Sequence, residues 1–129
     1  MKVICMRSVG IICSALLIAA CAASRPAADS YQSALALVDR AKDLPGFADY
    51  VNLFVRSQSA QHLDSKSGCY EKNAGQQILL ILIVDRTGQI TDAFSDSKTP
   101  KAKCFKAAYK GAHMPIPPFT PLPVPLAMR

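Results

Sequence analysis

Chemistry in this chain would have to come from a small set of reactive side chains: two histidines, five cysteines and nine carboxylates in 129 residues. His62 and His113 stand far apart, and neither has a second histidine at zinc-ligand spacing. Asp64 and Glu71 lie close to His62 together with Ser65 and Ser67, which are the residue types of a hydrolytic Ser-His-Asp set. Polar residues of this kind also crowd any solvated loop, and that is the simpler account. The glycines stand singly at turn positions, so no glycine-rich phosphate cradle is present. The sequence therefore reads as non-enzymatic, with no metal and no cofactor.

The cysteines need a compartment before they can be assigned. Lys2 and Arg7 lead into the apolar run 9–18. At about ten residues this run is too short to span a bilayer, which takes roughly 20, and it has the character of a signal-peptide core. It ends in Ile18-Ala19-Ala20-Cys21, which resembles the lipobox of bacterial lipoproteins at all four positions. The resemblance implies diacylglycerol on the Cys21 sulfur, cleavage after Ala20 and acylation of the new amino terminus. The alternative is a plain secretory peptide with Cys21 as a passenger. Several acyl chains at one residue anchor a protein stably, at about 0.8 kcal/mol per buried CH2. Ala22 rather than Asp follows Cys21, which under the enterobacterial sorting rule implies the outer membrane, facing the periplasm. Residues 21–29 then form a lipidated tether, small, polar and containing Pro26, that spans at most about 30 Å.

Removing residues 1–20 changes the bulk properties. Without Lys2 and Arg7 the 15 basic side chains become 13, against 9 acidic ones, a net charge of +4. That is mild, and with no Trp it does not resemble the basic, base-stacking surface of a nucleic-acid binder. Residues 30–129 are enough for one modest domain. Cys5 and Cys13 leave with the signal and Cys21 carries lipid, so Cys69 and Cys104 remain as an even pair in an exported chain, which reads as a disulfide. A redox pair would ordinarily sit close in sequence as C-x-x-C. The loop closed here is worth roughly 3–4 kcal/mol in the chain-entropy model.

The remaining pattern is that of elements able to hold such a bridge. Tyr31, Ala34, Leu35, Val38 and Ala41 recur at helical spacing, with Asp29 or Ser30 as cap and Pro45-Gly46 as stop. Phe47, Tyr50, Val51, Phe54, Val55 and Gln58 make a second helical stripe, for core packing or a partner. Residues 76–84 form a strand that is apolar on both faces, so its second face needs a helix, another copy or a partner over it. Asp85-Arg86-Thr87-Gly88 turns the chain into a second strand at 89–95. Thr99-Pro100 starts a helix that runs to about Lys110, with Ala102, Phe105, Ala108 and Tyr109 inward. Lys103, Lys106 and Lys110 form an outward row joined by Lys98 and Lys101, either a patch for an anionic partner or a solvated face. Pro121, Pro123 and Pro125 fall on alternate residues. An edge strand with its prolines outward accommodates them, as does a polyproline II segment.

The order helix, strand, tight turn, strand, helix, proline-rich segment, strand resembles the C-terminal domain of the TonB and TolA energy-transducing proteins. The likeness is carried by residues 80–90 for the hairpin, Cys104-Phe105-Lys106-Ala107-Ala108 for the helix and Met114-Pro115-Ile116-Pro117-Pro118-Phe119 before the last strand. It spans roughly Phe47 to Met128. It implies an α+β fold, with helices packed on a three-stranded antiparallel sheet, acting as a non-enzymatic binding module in the periplasm. Those proteins hold to the inner membrane by an uncleaved helix and reach outward on a long linker, whereas this chain has a lipobox and a short tether.

The expected function is a lipid-anchored adaptor or structural component of an envelope complex, touching the membrane through Cys21 and either a protein partner or a second copy of itself. The alternative is an inhibitor of a cell-wall hydrolase, because Ser67-Gly68-Cys69-Tyr70 resembles the Ser-Gly loop of lipoprotein lysozyme inhibitors.

Overall fold

The computed structural model describes residues 27–65 and 68–129. The expected signal peptide, Cys21 and most of the tether lie outside the described residues, as do Lys66 and Ser67. The chain forms α1 (Tyr31–Ala41), α2 (Phe47–Ala60), a 3-10 turn (Cys69–Glu71), β1 (Ile78–Val84), β2 (Ile90–Ser95), α3 (Pro100–Tyr109) and β3 (Leu122–Met128). This is an α+β fold with a three-stranded antiparallel sheet in the order β2-β1-β3. Among the described residues no helix is long and apolar enough to cross a membrane.

β1 is the central strand and reads ILLILIV, so both of its faces require cover. Ile78, Leu80, Leu82 and Val84 point to one side, where they share a core with Phe47, Tyr50 and Phe54 of α2, Phe105 and Tyr109 of α3, and Leu122 and Val124 of β3. Ile81 and Ile83 point to the other side, against Ala34 of α1, with Tyr31, Leu37, Val38 and Phe94 packed around them. The sheet is therefore held between two helical layers, and the cover over its second face is α1. Ala28 belongs to that second cluster. The chain thus joins the core two residues before Ser30, inside the expected tether 21–29.

The helix starts follow the local chemistry. Of the two expected caps for α1, Ser30 is used: its Oγ accepts from Ser33 N at 3.2 Å while Ser33 Oγ accepts from Ser30 N at 3.0 Å. Thr99 caps α3 by accepting from Ala102 N, and Pro100 occupies the first turn where no N–H is needed. In the β1–β2 turn Gly88 takes φ +87°, the left-handed region that glycine enters without steric cost.

β3 lies at a sheet edge, as the alternating prolines predict. Leu79 O accepts from Asp96 N at 3.3 Å, so odd-numbered residues of β1 direct their polar groups to β2 and even-numbered ones to β3. The register pairs Leu80 with Leu126, Leu82 with Val124 and Val84 with Leu122. None of these is a proline, and each can complete its ladder. Pro123 and Pro125 sit opposite Ile83 and Ile81, where the missing N–H falls on the outer edge and leaves it poor in donors.

Cys69 and Cys104 form a disulfide with Cα atoms 5.5 Å apart, fastening the 3-10 turn to α3. Two buried hydroxyls tie helix to core. Tyr109 donates to Gln58 Oε1 at 2.5 Å, and Tyr50 donates to Pro115 O at 2.6 Å.

Two outcomes follow. The C69A/C104A variant should unfold in urea with about 3–4 kcal/mol less stability than the oxidised protein, and reduction of the wild-type chain should give a similar loss. Burial pushes the Tyr50 hydroxyl up from 10.0 to about 12, and Tyr109 is raised further by burial and by the nearby charges of Asp64 and Tyr70. Both groups hold their protons more tightly when folded. Their contribution is complete below pH about 10 and is lost as pH rises toward the folded values. Alkaline titration followed by circular dichroism should show unfolding above pH about 10, and Tyr50→Phe should flatten that limb.

Candidate functional site

α3 separates its lysines by position on the helix. Lys103 and Lys110 are exposed and Lys106 is half-buried. At intervals of three and four they lie along one stripe of the surface. Lys98 is exposed just before the helix. From residue 97 to the end the chain holds six Lys and Arg and no acidic residue. The one ion pair among the described residues joins Lys42 to Asp39 on α1, so the α3 stripe presents its charge to solvent.

Lys101 departs from the expected outward row. It is fully buried, because positions 101, 105 and 109 share the inward stripe with Phe105 and Tyr109. Its Nζ donates to Gln76 O at 2.6 Å and lies 5.8 Å from the centre of the Tyr70 ring. Tyr70 in turn meets Phe105 edge-on at 5.0 Å, and its hydroxyl is pushed up by burial and by Asp64. The alkyl stem of Lys101 is packed while its ammonium ion finds a carbonyl. Lys101 therefore pins the loop before β1 to α3, close to the disulfide, and is not available to a partner.

The residues of the conceivable hydrolytic set are used structurally or stay apart. His62 is exposed with φ +55°, and its carbonyl accepts from Ser65 N at 3.3 Å. Among the described residues no hydrogen bond joins the side chains of His62, Asp64, Ser65 and Glu71. His113 stands on another segment in an isolated bridge with Gln89, and its carbonyl accepts from Gln61 Nε2 at 2.9 Å. The described part of the Ser-Gly loop is equally engaged, with Gly68 capping the 3-10 turn at φ +61° and Cys69 buried in the disulfide. Among the described residues no group of three His, Cys, Asp or Glu side chains could hold a metal ion.

A second surface forms at the opposite end of the sheet, around the β1–β2 turn. Asp85 Oδ1 accepts from Thr87 N at 2.8 Å, from Thr87 Oγ1 at 2.6 Å and from Gln89 N at 3.1 Å. These donors, Thr87 above all, lower its pKa, and His113 adds to the effect. Gly88 O accepts from Met114 N at 2.7 Å, which binds the proline-rich segment to the turn. Tyr50 and Gln61 hold the same segment onto α2 through Pro115 O and His113 O. The result is an apolar groove of about 290 Å³ lined by Gly46, Asp49, Tyr50, Leu53, Ile116 and Pro118. Ile116 is 73% exposed and Leu53 46%. A larger cleft of about 520 Å³ beside α1 is lined by Ala27, Asp85, Arg86, Asp92, Thr120 and Pro121, among others.

Leu53 and Ile116 are not singled out as a surface in the sequence analysis, although two signals could have found them. Leu53 falls off the buried stripe of α2, and Ile116 stands between two prolines that cannot draw it into a ladder. Compared with known proteins, the chain matches no family model, no curated protein and no solved structure.

Gly88 is the position on which this end depends most. A Cβ there would come within 2.1 Å of Met114 O, on backbone already at positive φ. Gly88→Ala should cost about 2–3 kcal/mol, measured by thermal unfolding, whereas Gly75→Ala, with open space around it, should cost about 1 kcal/mol from φ strain alone.

Proposed function

We propose that this chain is a non-enzymatic, protein-binding adaptor of the bacterial envelope, held to the outer membrane by acyl chains on Cys21 and facing the periplasm, with a domain of the TonB/TolA C-terminal kind. The observation that carries the reading is the lysine stripe of α3. Lys103 and Lys106 stand on α3 and Lys110 caps its C-terminus, the helix being fastened by the Cys69–Cys104 disulfide, with no ion pair of their own among the described residues. Such a stripe suits the acidic face of a protein partner. Charge of this kind steers association and orients the complex more than it adds raw affinity.

Other surfaces support a helix-borne interface. Both sheet faces carry helices, so docking on a bare sheet is not open to a partner. Strand addition at β3 would meet the donor-poor edge left by Pro123 and Pro125. The element order and the three-stranded sheet agree with the TonB/TolA likeness. The short tether and proline-filled edge are reasons not to extend the likeness to energy coupling.

A photoreactive side chain at position 107, beside the stripe, tests the reading in cells. The wild-type lipoprotein should crosslink to one envelope protein reproducibly, and K103E/K106E/K110E should lose that product by at least about tenfold while remaining in the membrane fraction. Cys21→Ser should move the chain to the soluble fraction. Undiminished crosslinking by the triple variant would remove α3 as the interface, and no reproducible product from the wild type would remove the adaptor reading.

A further inference from the structure

Ala27, two cations and Ile116, the most exposed large hydrophobic side chain among the described residues, all lie at one end of the domain. Ala27 lines the cleft formed with Asp85, Arg86, Thr120 and Pro121, so a chain leading from Cys21 arrives beside the β1–β2 turn. That turn is bonded through Gly88 to Met114, which brings Ile116 to the same end, beside Leu53. α3 delivers Lys110 there as well, since Gly111 N donates to Ile90 O at 2.8 Å. Arg86 is exposed in the turn itself.

We infer that this end of the domain is a membrane-contacting surface, with Ile116 and Leu53 entering the headgroup region and Arg86 meeting lipid phosphates. The inference rests on lipidation at Cys21 and fixes what the anchor leaves open, namely which way the domain faces. Six residues separate Cys21 from Ala28, which is already buried, so the two positions lie at most about 25 Å apart. A tether of that length keeps the β1–β2 turn within reach of the lipid but does not by itself stop the domain from rolling. An exposed apolar pair with Arg86 at the same end of the sheet does, because apolar burial and attraction to anionic lipid then act together. Asp49 also lines the groove, in the first turn of α2, where the helix N-terminus complements its charge. Asp85 Oδ1 accepts from three turn donors, and Asp92 shares the cleft with Arg86. The opposite end, with Gln77 and Lys98, then faces away from the membrane, and α3 runs from that end toward the lipid.

The test uses the lipidated full chain with a bimane label at I116C or at Q77C, reconstituted into phosphatidylethanolamine–phosphatidylglycerol vesicles that carry brominated acyl chains. Quenching should be several-fold stronger at position 116 than at position 77, and a label at L53C should follow position 116. Equal quenching at both ends, or stronger quenching at position 77, would overturn the orientation, including the case in which a protein rather than lipid covers the groove. The mass of the N-terminal peptide reports lipidation separately. An unlipidated chain, which removes the anchor reading and the orientation with it, is thereby distinguished from a lipidated chain whose Ile116 faces water.

Discussion

The double-sided burial of β1 is the constraint on which the rest of this molecule depends. A strand reading ILLILIV cannot lie on the surface of a small sheet, because each face would expose a row of branched aliphatic side chains. The chain resolves this by placing β1 in the middle, β2 and β3 on either side, α2 and α3 over one face and α1 over the other. Each further feature then has a defined place. α1 exists where it does because Ile81 and Ile83 need it. The N-terminal approach to the domain is set in turn by Ala28, which packs beneath the same helix.

The two ends of the sheet are closed by different chemistry. Before β1, a covalent bond and a buried cation hold the loops: Cys69–Cys104 fastens the 3-10 turn, and Lys101 reaches the Gln76 carbonyl beside the Tyr70 ring. After β1, main-chain hydrogen bonds do the work, from Met114 N to Gly88 O and from Gly111 N to Ile90 O, with Tyr50 gripping Pro115 from α2. The second arrangement requires glycine at position 88 and leaves Ile116 displayed on the outside. One end thus carries a tight cross-link and the other carries exposed apolar and basic side chains.

Local signals were legible wherever the physics is local. Ser30, Thr99-Pro100 and Gly88 act where their types predicted, since caps and turns are decided within three or four residues. The proline alternation of β3 was legible for the same reason, because period two separates the two edges of a strand irrespective of its neighbours. Lys101 lies inward although lysine is a surface residue type, because the spacing 101, 105, 109 places it on the inward stripe. Leu35 and Val55 belong to apolar stripes yet remain about 40% exposed. A stripe gives the direction of burial, and the width of the neighbouring element decides how much of it is covered.

By itself the sequence determined the three helices and the hairpin to within a few residues, the pairing of the two domain cysteines and the need for cover on both faces of one strand. Each follows from periodicity or from chemistry between near neighbours. Only the tertiary structure decided that α1 supplies the second cover, that Lys101 is sealed beneath Tyr70, and that Ala27, Arg86, Lys110 and Ile116 meet at one end. Those juxtapositions join residues up to ninety positions apart. They depend on which strand is central and which way each helix crosses it, and no local pattern encodes that.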